Sequence, residues 1–326
     1  MSPTPRPDGP SLLATSDLHV MHAGNQEVVE RIRPYAEGDW LIVAGDVADA
    51  VAPLRRTLRL LRERFAKVIW APGNHELWTT RADPVQLTGV ARYQHLVEMC
   101  RELDVVTPED PYPVWEGAGG PAVVVPLFLL YDYSWRLPGL DVAAAMAHAR
   151  ETRIVATDEL LLRPDPFPDR AAWCHERVRL TLARLAGPSS ELPAGLPVVF
   201  ASHWPLHRGP TRMLRHPQFA MWCGTELTED WHRRFPVAAA VYGHLHIPMT
   251  LEFDGVRFEE VSLGYPREWR RRGPGVGGAA TGGGASPYPV RRVLPADPHR
   301  APMNGVLDSV AARFRADDGL DRPLPR

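Results

Sequence analysis

The chain of 326 residues contains three cysteines, Cys100, Cys174 and Cys223, and no two stand in a C-x-x-C spacing. That scarcity excludes a disulfide framework and a thiolate metal site, and it fits a protein of the reducing cytoplasm. Lysine is scarcer still: Lys67 is the only one among 37 basic residues, and the rest are arginine. There is no basic excess, because 39 acidic residues leave a formal net charge of -2. A general nucleic-acid binder would show the opposite balance, so no nucleic-acid partner is expected. Long apolar runs are missing too. Residues 123–130, interrupted by Pro126, are the longest strongly apolar stretch, far too short to span a bilayer, so no membrane association is expected. The first twenty residues lack a charged region followed by an apolar one, so no secretory signal is expected either. A G-x-S-x-G elbow, an H-E-x-x-H helix and a Gly-Lys-Ser/Thr phosphate loop are all absent. This argues against serine hydrolases, zincins and P-loop enzymes.

What the chain does have is five short polar motifs, each at the end of an apolar run. Asp17-Leu18-His19 follows residues 11–16. Gly45-Asp46-Val47-Ala48-Asp49 follows 41–44, and Gly73-Asn74-His75-Glu76 follows 67–71. His203 follows 198–202, and Gly243-His244-Leu245-His246 follows 238–242. Apolar runs of this length predict buried strands. Ligands of open α/β sheets gather at the carboxyl ends of such strands. Five ends would bring Asp17, His19, Asp46, Asn74, His203, His244 and His246 together, an oxygen- and imidazole-rich set large enough for two metal ions.

Between the first motifs, Leu54, Leu58, Leu61 and Phe65 stand at helical spacing among arginines and glutamates. This strand–helix–strand alternation predicts a mainly parallel sheet with helices on its faces. Residues 1–10, with four prolines, predict a flexible arm. Residues 131–196 separate the third motif from the fourth and predict a cap inserted into a domain of residues 11–269, with one clear helix over 171–185. Asp254-Gly255 between residues 250–253 and 256–258 predicts a hairpin. From 270 to 326 the chain is rich in Gly, Pro and Arg, and 273–289 lacks periodicity; the tail is expected to be largely disordered.

Two divalent ions held close together need a shared ligand, and a carboxylate supplies one oxygen to each. Asp46 follows a glycine at a strand end, where the backbone can turn and present the carboxylate. Asp17 and His19 alternate along the chain, so only a bend just after the strand lets both face one ion. Imidazole and oxygen donors without sulfur suit Mn, Fe or Zn rather than a structural zinc site. Tyr131 and Asp132 are candidates to line a substrate cleft. Arg208, Arg212 and Arg215 are candidates for phosphate or an acidic partner. His22 and Asn25 read as loop-shaping residues, and Trp173, Trp222, Trp231 and Trp269 as core or rim aromatics. Each motif alone reads as an ordinary turn; the ordered set points to a site.

D-x-H, G-D-x-x-D, G-N-H-E, a lone His after a strand and G-H-x-H, in that order, resemble the calcineurin-like metallophosphoesterases. The resemblance spans residues 12 to about 265 and implies a four-layer α/β/β/α sandwich. It implies that Asp17, His19, Asp46 and His246 hold one metal while Asp46, Asn74, His203 and His244 hold the other. It makes His75 the unliganded catalytic histidine and Asp49 the residue that orients it. Further stretches, Leu130-Tyr131-Asp132-Tyr133-Ser134 and above all Val261 through Trp269, resemble an actinobacterial branch of the family. That branch includes a 4′-phosphopantetheinyl hydrolase. The implied reaction is phosphodiester hydrolysis releasing 4′-phosphopantetheine from an acyl or peptidyl carrier protein. The alternatives are a phosphomonoesterase acting on a small metabolite, nucleotide or biosynthetic intermediate, and a metal-binding scaffold without catalysis.

Overall fold

The computed structural model describes residues 9–272, 289–298, 300, 302–305 and 307. Strand–helix alternation opens the chain: β1 (Leu12–Thr15), α1 (Ala23–Glu30), β2 (Trp40–Ala44), α2 (Val51–Arg62), β3 (Lys67–Ala71), α3 (Asn74–Leu77), α4 (Gly89–Glu102) and β4 (Val105–Val106). A second set follows: β5 (Val114–Trp115), β6 (Ala122–Pro126), α5 (Val142–Glu151), α6 (Asp158–Leu161), α7 (Arg170–Ala186) and β7 (Val198–Ala201). The chain continues with α8 (Trp231–Arg234), β8 (Val237–Tyr242), β9 (Thr250–Phe253), β10 (Val256–Glu260), α9 (Pro266–Arg272) and β11 (Arg291–Leu294).

The strands form two sheets, ordered β11-β1-β2-β3-β4 and β5-β6-β7-β8-β10-β9. Their centres are parallel, β1 to β4 in one and β6, β7, β8 and β10 in the other. Period-2 geometry divides each strand between two cores. Leu12, Ala14, Ile42, Ala44 and Ile69 pack against Val124, Val199, Ala201, Ala239 and Val241 in a layer built from both sheets. Their neighbours Leu13, Leu41, Val43, Val68, Trp70, Val123, Val125 and Phe200 join the cluster that also holds Leu54, Leu58 and Leu61 of α2 and Trp173 and Val178 of α7. The result is a four-layer sandwich with helices outside both sheets. Burial on both faces explains why these strands read as unbroken apolar runs.

A parallel bridge from Ser16 to Ser262 joins the ends of β1 and β10, so the two sheets meet where their carboxyl ends lie side by side. The expected hairpin has a two-residue turn at Asp254 and Gly255, with φ of 51° and 78° and Phe253 paired with Val256. Both central residues in the left-handed region mark the hairpin-type turn. No helix among the described residues is long and apolar enough to cross a membrane.

Two expectations need correction. The tail is not uniformly without structure: β11 pairs antiparallel with β1 and buries Val290, Val293 and Leu294. Four residues within an Arg- and Pro-rich stretch carry too short a pattern to stand out. Residues 1–8 and 273–288 lie outside the described residues. Nor does all of the 131–196 insert behave as a cap. Trp173, Cys174, Val178 and Leu185 of α7 are buried in the main core, so this helix is a layer of the sandwich.

Candidate metal centre and active site

Five of the motif residues sit in the left-handed backbone region: Asp17 (φ 53°), His19 (40°), Asp46 (54°), His244 (69°) and His246 (56°). Non-glycine residues rarely adopt it, and such positions gather at functional sites. Here they supply the bend that turns alternating side chains to one side. Main-chain bonds hold the bends: Asp17 N–H to Gly45 O (3.0 Å), His19 N–H to Asp46 O (3.0 Å) and Gly243 N–H to His203 O (3.0 Å). The motif glycines make the close approach possible. A Cβ at Gly73 would collide with Asp46 Oδ1, and one at Gly243 with the side chains of Ser16 and Asp17.

The structure brings all seven candidate ligands and His75 together. Asp17, His19 and His246 form one group able to hold a cation, and Asp46, His203 and His244 form another. His246 Nε2 lies 3.0 Å from Asp17 Oδ1 and 3.1 Å from His19 Nε2. On the other side, His203 Nε2 lies 3.1 Å from His244 Nδ1, 3.1 Å from Asn74 Oδ1 and 3.3 Å from Asp46 Oδ2. Asp46 also groups with His19 and His75, so its carboxylate stands between the two sets. Two imidazole nitrogens facing each other can share only one proton, whereas a cation satisfies both lone pairs. His244 Nε2 is buried without a partner among the described residues, which leaves Nδ1 as that ring's working atom. This donor set fits two divalent ions and contains no sulfur.

The electrostatics agree. Burial opposes charge on Asp17, yet His246 and His203 hold its carboxyl well below the usual range. Asp46 is likewise depressed by His203 and His75 against burial. Burial and the neighbouring histidine His75 keep His19 neutral, and burial with His203 pushes His244 down to about 3. Both rings therefore offer lone pairs. His75 is different: burial lowers it, but Asp46 and the bond to Asp49 raise it overall. Its Nδ1 lies 2.8 Å from Asp49 Oδ1, its Nε2 lies 3.6 Å from Asp46 Oδ2, and its ring packs on Trp78.

A second ring of residues, not singled out from the sequence, orients the first. Glu76 accepts N–H groups from Asp46 (3.0 Å), Val47 (2.6 Å) and Gly73 (2.8 Å), clamping two metal loops together. Glu268 Oε2 accepts His246 Nδ1 at 2.7 Å, the carboxylate–imidazole arrangement typical of metal ligands. Asp158, fully buried, takes Asn74 Nδ2 (2.9 Å) and Trp78 Nε1 (2.7 Å). Glu268 falls within the 261–269 signature, the one sequence signal that could have found it. Asp158 is 84 residues from Asn74 with no local spacing to betray it. Asn25 shapes the first loop as expected, donating to Leu18 O and Gly264 O and accepting Trp269 Nε1.

The proposed cleft residues lie elsewhere. Tyr131 is fully buried with its hydroxyl on Asp158 (3.0 Å), so it supports the site from beneath and cannot line it. Asp132 is engaged by Ser134, Thr225 and His175. Arg208 donates to the carbonyls of Trp135 and Arg136, a structural tie. Arg212 is exposed on a 3-10 turn, Gly209–Met213.

A family model, calcineurin-like phosphoesterase, matches residues 10–248. The chain belongs to that family. It is an enzyme, a metal-dependent phosphoric ester hydrolase with a binuclear site. Among curated proteins it is 54% identical over 307 residues to the [acyl-carrier-protein] phosphodiesterase PptH of Mycobacterium tuberculosis, covering 94% of this chain and 89% of that one. Among solved structures it is similar to the crystal structure of phosphopantetheinyl hydrolase from the same organism. The TM-score is 0.82 at 55% identity, covering 90% of this chain and 98% of that chain.

Proposed function

We propose that this phosphoesterase is a phosphodiesterase that releases 4′-phosphopantetheine from the serine of holo-carrier proteins. The observation that carries the reading is 54% identity across 94% of the chain to an acyl-carrier-protein phosphodiesterase. Asp17, His19, Asp46 and His246 would hold one ion and Asp46, Asn74, His203 and His244 the other, with Mn or Fe favoured over Zn. When bound, the ions supply water of lowered pKa and neutralise charge on the phosphoryl group. His75, fixed through Nδ1 by Asp49, keeps Nε2 toward the site, where it can deliver a proton to the departing serine oxygen. Water supplies the oxygen of the new P–O bond, the P–O bond to that serine breaks, and the serine oxygen takes the proton, leaving apo-carrier and 4′-phosphopantetheine.

Intact-protein mass spectrometry of holo-carrier incubated with Mn-loaded enzyme tests the substrate. Loss of the phosphopantetheine mass is expected. An unchanged mass beside brisk turnover of p-nitrophenyl phosphate would favour the phosphomonoesterase reading instead. For the metal assignment, Asp46→Asn is expected to lower the bound metal below two equivalents, since an amide bridges two cations poorly. Two retained equivalents with normal turnover would remove Asp46 from the bridge.

A further inference from the structure

Tyr265 stands between β10 and α9 and touches three histidine rings of the site. It stacks on His19 with centroids 4.4 Å apart and planes at 23°, and it meets His246 and His22 edge-on at 4.9 and 5.2 Å. Its position is set from the main chain. Gly264 N–H donates to Asp17 O (3.1 Å), and Tyr265 N–H donates to Glu268 Oε2 (2.9 Å), the oxygen that also holds His246 Nδ1. Gly264 has φ 76°, and a Cβ there would approach Glu268 Oε2 to 2.8 Å. The main chain at Tyr265 is therefore tied to the support of His246, and the ring is packed between His19 and His246.

The main chain and ring of this tyrosine have partners; its hydroxyl, among the described residues, does not. The side chain is half-buried, and the hydroxyl forms no hydrogen bond among the described residues. The ring that carries it lies against His19 and His246, two of the residues grouped around one cation position, which puts the tyrosine beside the place where the ester belongs. A hydrogen-bond donor held beside a place where charge gathers is the arrangement that stabilises a phosphoryl group.

We propose that Tyr265 is a substrate-binding residue of the phosphoester site, its hydroxyl donating a hydrogen bond to a non-bridging phosphoryl oxygen. The proposal rests on the phosphoester chemistry of the family, not on the carrier-protein reading. The competing role is that the ring merely shields His19 and His246, and Tyr265→Phe separates the two because it keeps the ring and removes the hydroxyl. With the full-length Mn-loaded enzyme, the variant is expected to keep two metal equivalents. Its kcat on bis-p-nitrophenyl phosphate should fall about 10–100-fold, less than the roughly 10²–10³-fold of a lost oxyanion donor because two cations carry most of the charge. Inhibition by inorganic phosphate should weaken in parallel, a binding readout that ring shielding would not move. Wild-type kcat with unchanged phosphate inhibition would overturn the proposal, and so would loss of metal from the variant. Both probes report on Tyr265 whatever the natural substrate, while the holo-carrier assay alone decides the carrier reading.

Discussion

His75 stands outside the two ligand groups, and its two nitrogens divide their work. Asp49 occupies Nδ1 at 2.8 Å, and Nε2 is left facing the reaction. His75→Ala should therefore keep its metal but lose roughly 10²–10⁴-fold in rate on an ester with a poor leaving group. The loss should shrink for p-nitrophenolate, which hardly needs a proton; equal losses for both would argue against proton donation. His207, outside the ligand set and packed on His232 and Phe253, makes a separate pH prediction. Burial, helped by His232, pushes its pKa down to about 4, and its Nδ1 accepts Gly209 N–H at 3.0 Å. The unfolded chain binds the proton first, so the contribution to stability is complete above pH 6.5 and lost as pH falls toward 4. With solvent screening of this partly exposed ring allowed for, that loss is on the order of 1–2 kcal/mol. His207→Asn keeps a δ-position acceptor without titrating, so denaturant unfolding of the variant should vary less between pH 7 and 4.5. Equal pH dependence of the two chains would place the acid sensitivity elsewhere. At this scale the ligands were legible because each ends an apolar run. Glu76 stood in a motif, and its bond to Gly73 N–H is local, but those to Asp46 and Val47 are tertiary and have no sequence period.

At the scale of elements, legibility followed pattern. The strands β1, β2, β3, β7 and β8 read as apolar runs, and the helices α2 and α7 are long enough for period 3.6 to show. The two-residue strands β4 and β5 are too short, and β11 opens on two arginines. β11 matters for stability nonetheless. It covers the edge of β1, and with its surroundings it buries Val290, Val293, Leu294 and Leu307. Four buried aliphatic side chains at about 1.5–3 kcal/mol each approach the roughly 5–15 kcal/mol that a domain has in total. A chain ending at Arg272 would also leave β1 as an open edge, a template for aggregation. It should therefore melt far lower or fail to fold, as thermal unfolding would show; an unchanged Tm would mean that β11 contributes little to the core.

On the scale of the molecule, the site lies where the carboxyl ends of two sheets meet, and basic surface flanks it. On one side α9 ties into the site through Glu268 on His246 and Trp269 on Asn25 while presenting Arg267, Arg270 and Arg271 to solvent. On the other, Phe219 stacks on His244, and Arg215 and His216, just before it in the chain, are exposed. A net charge of -2 gave no hint of this, because composition sums over a surface that the fold sorts by position. A small diester needs only the metal loops, whereas an acidic carrier protein must also come to rest on these walls. Charges on the rim act chiefly on encounter and fade with salt, the screening length being about 8 Å at physiological ionic strength. Arg270→Glu with Arg271→Glu, both outside the ligand set, should therefore raise KM for holo-carrier by about tenfold or more at low salt. Turnover of bis-p-nitrophenyl phosphate should stay near wild type. The gap between variant and wild type should close as salt rises. A carrier KM that ignores both the reversal and the salt would show that the partner docks away from α9.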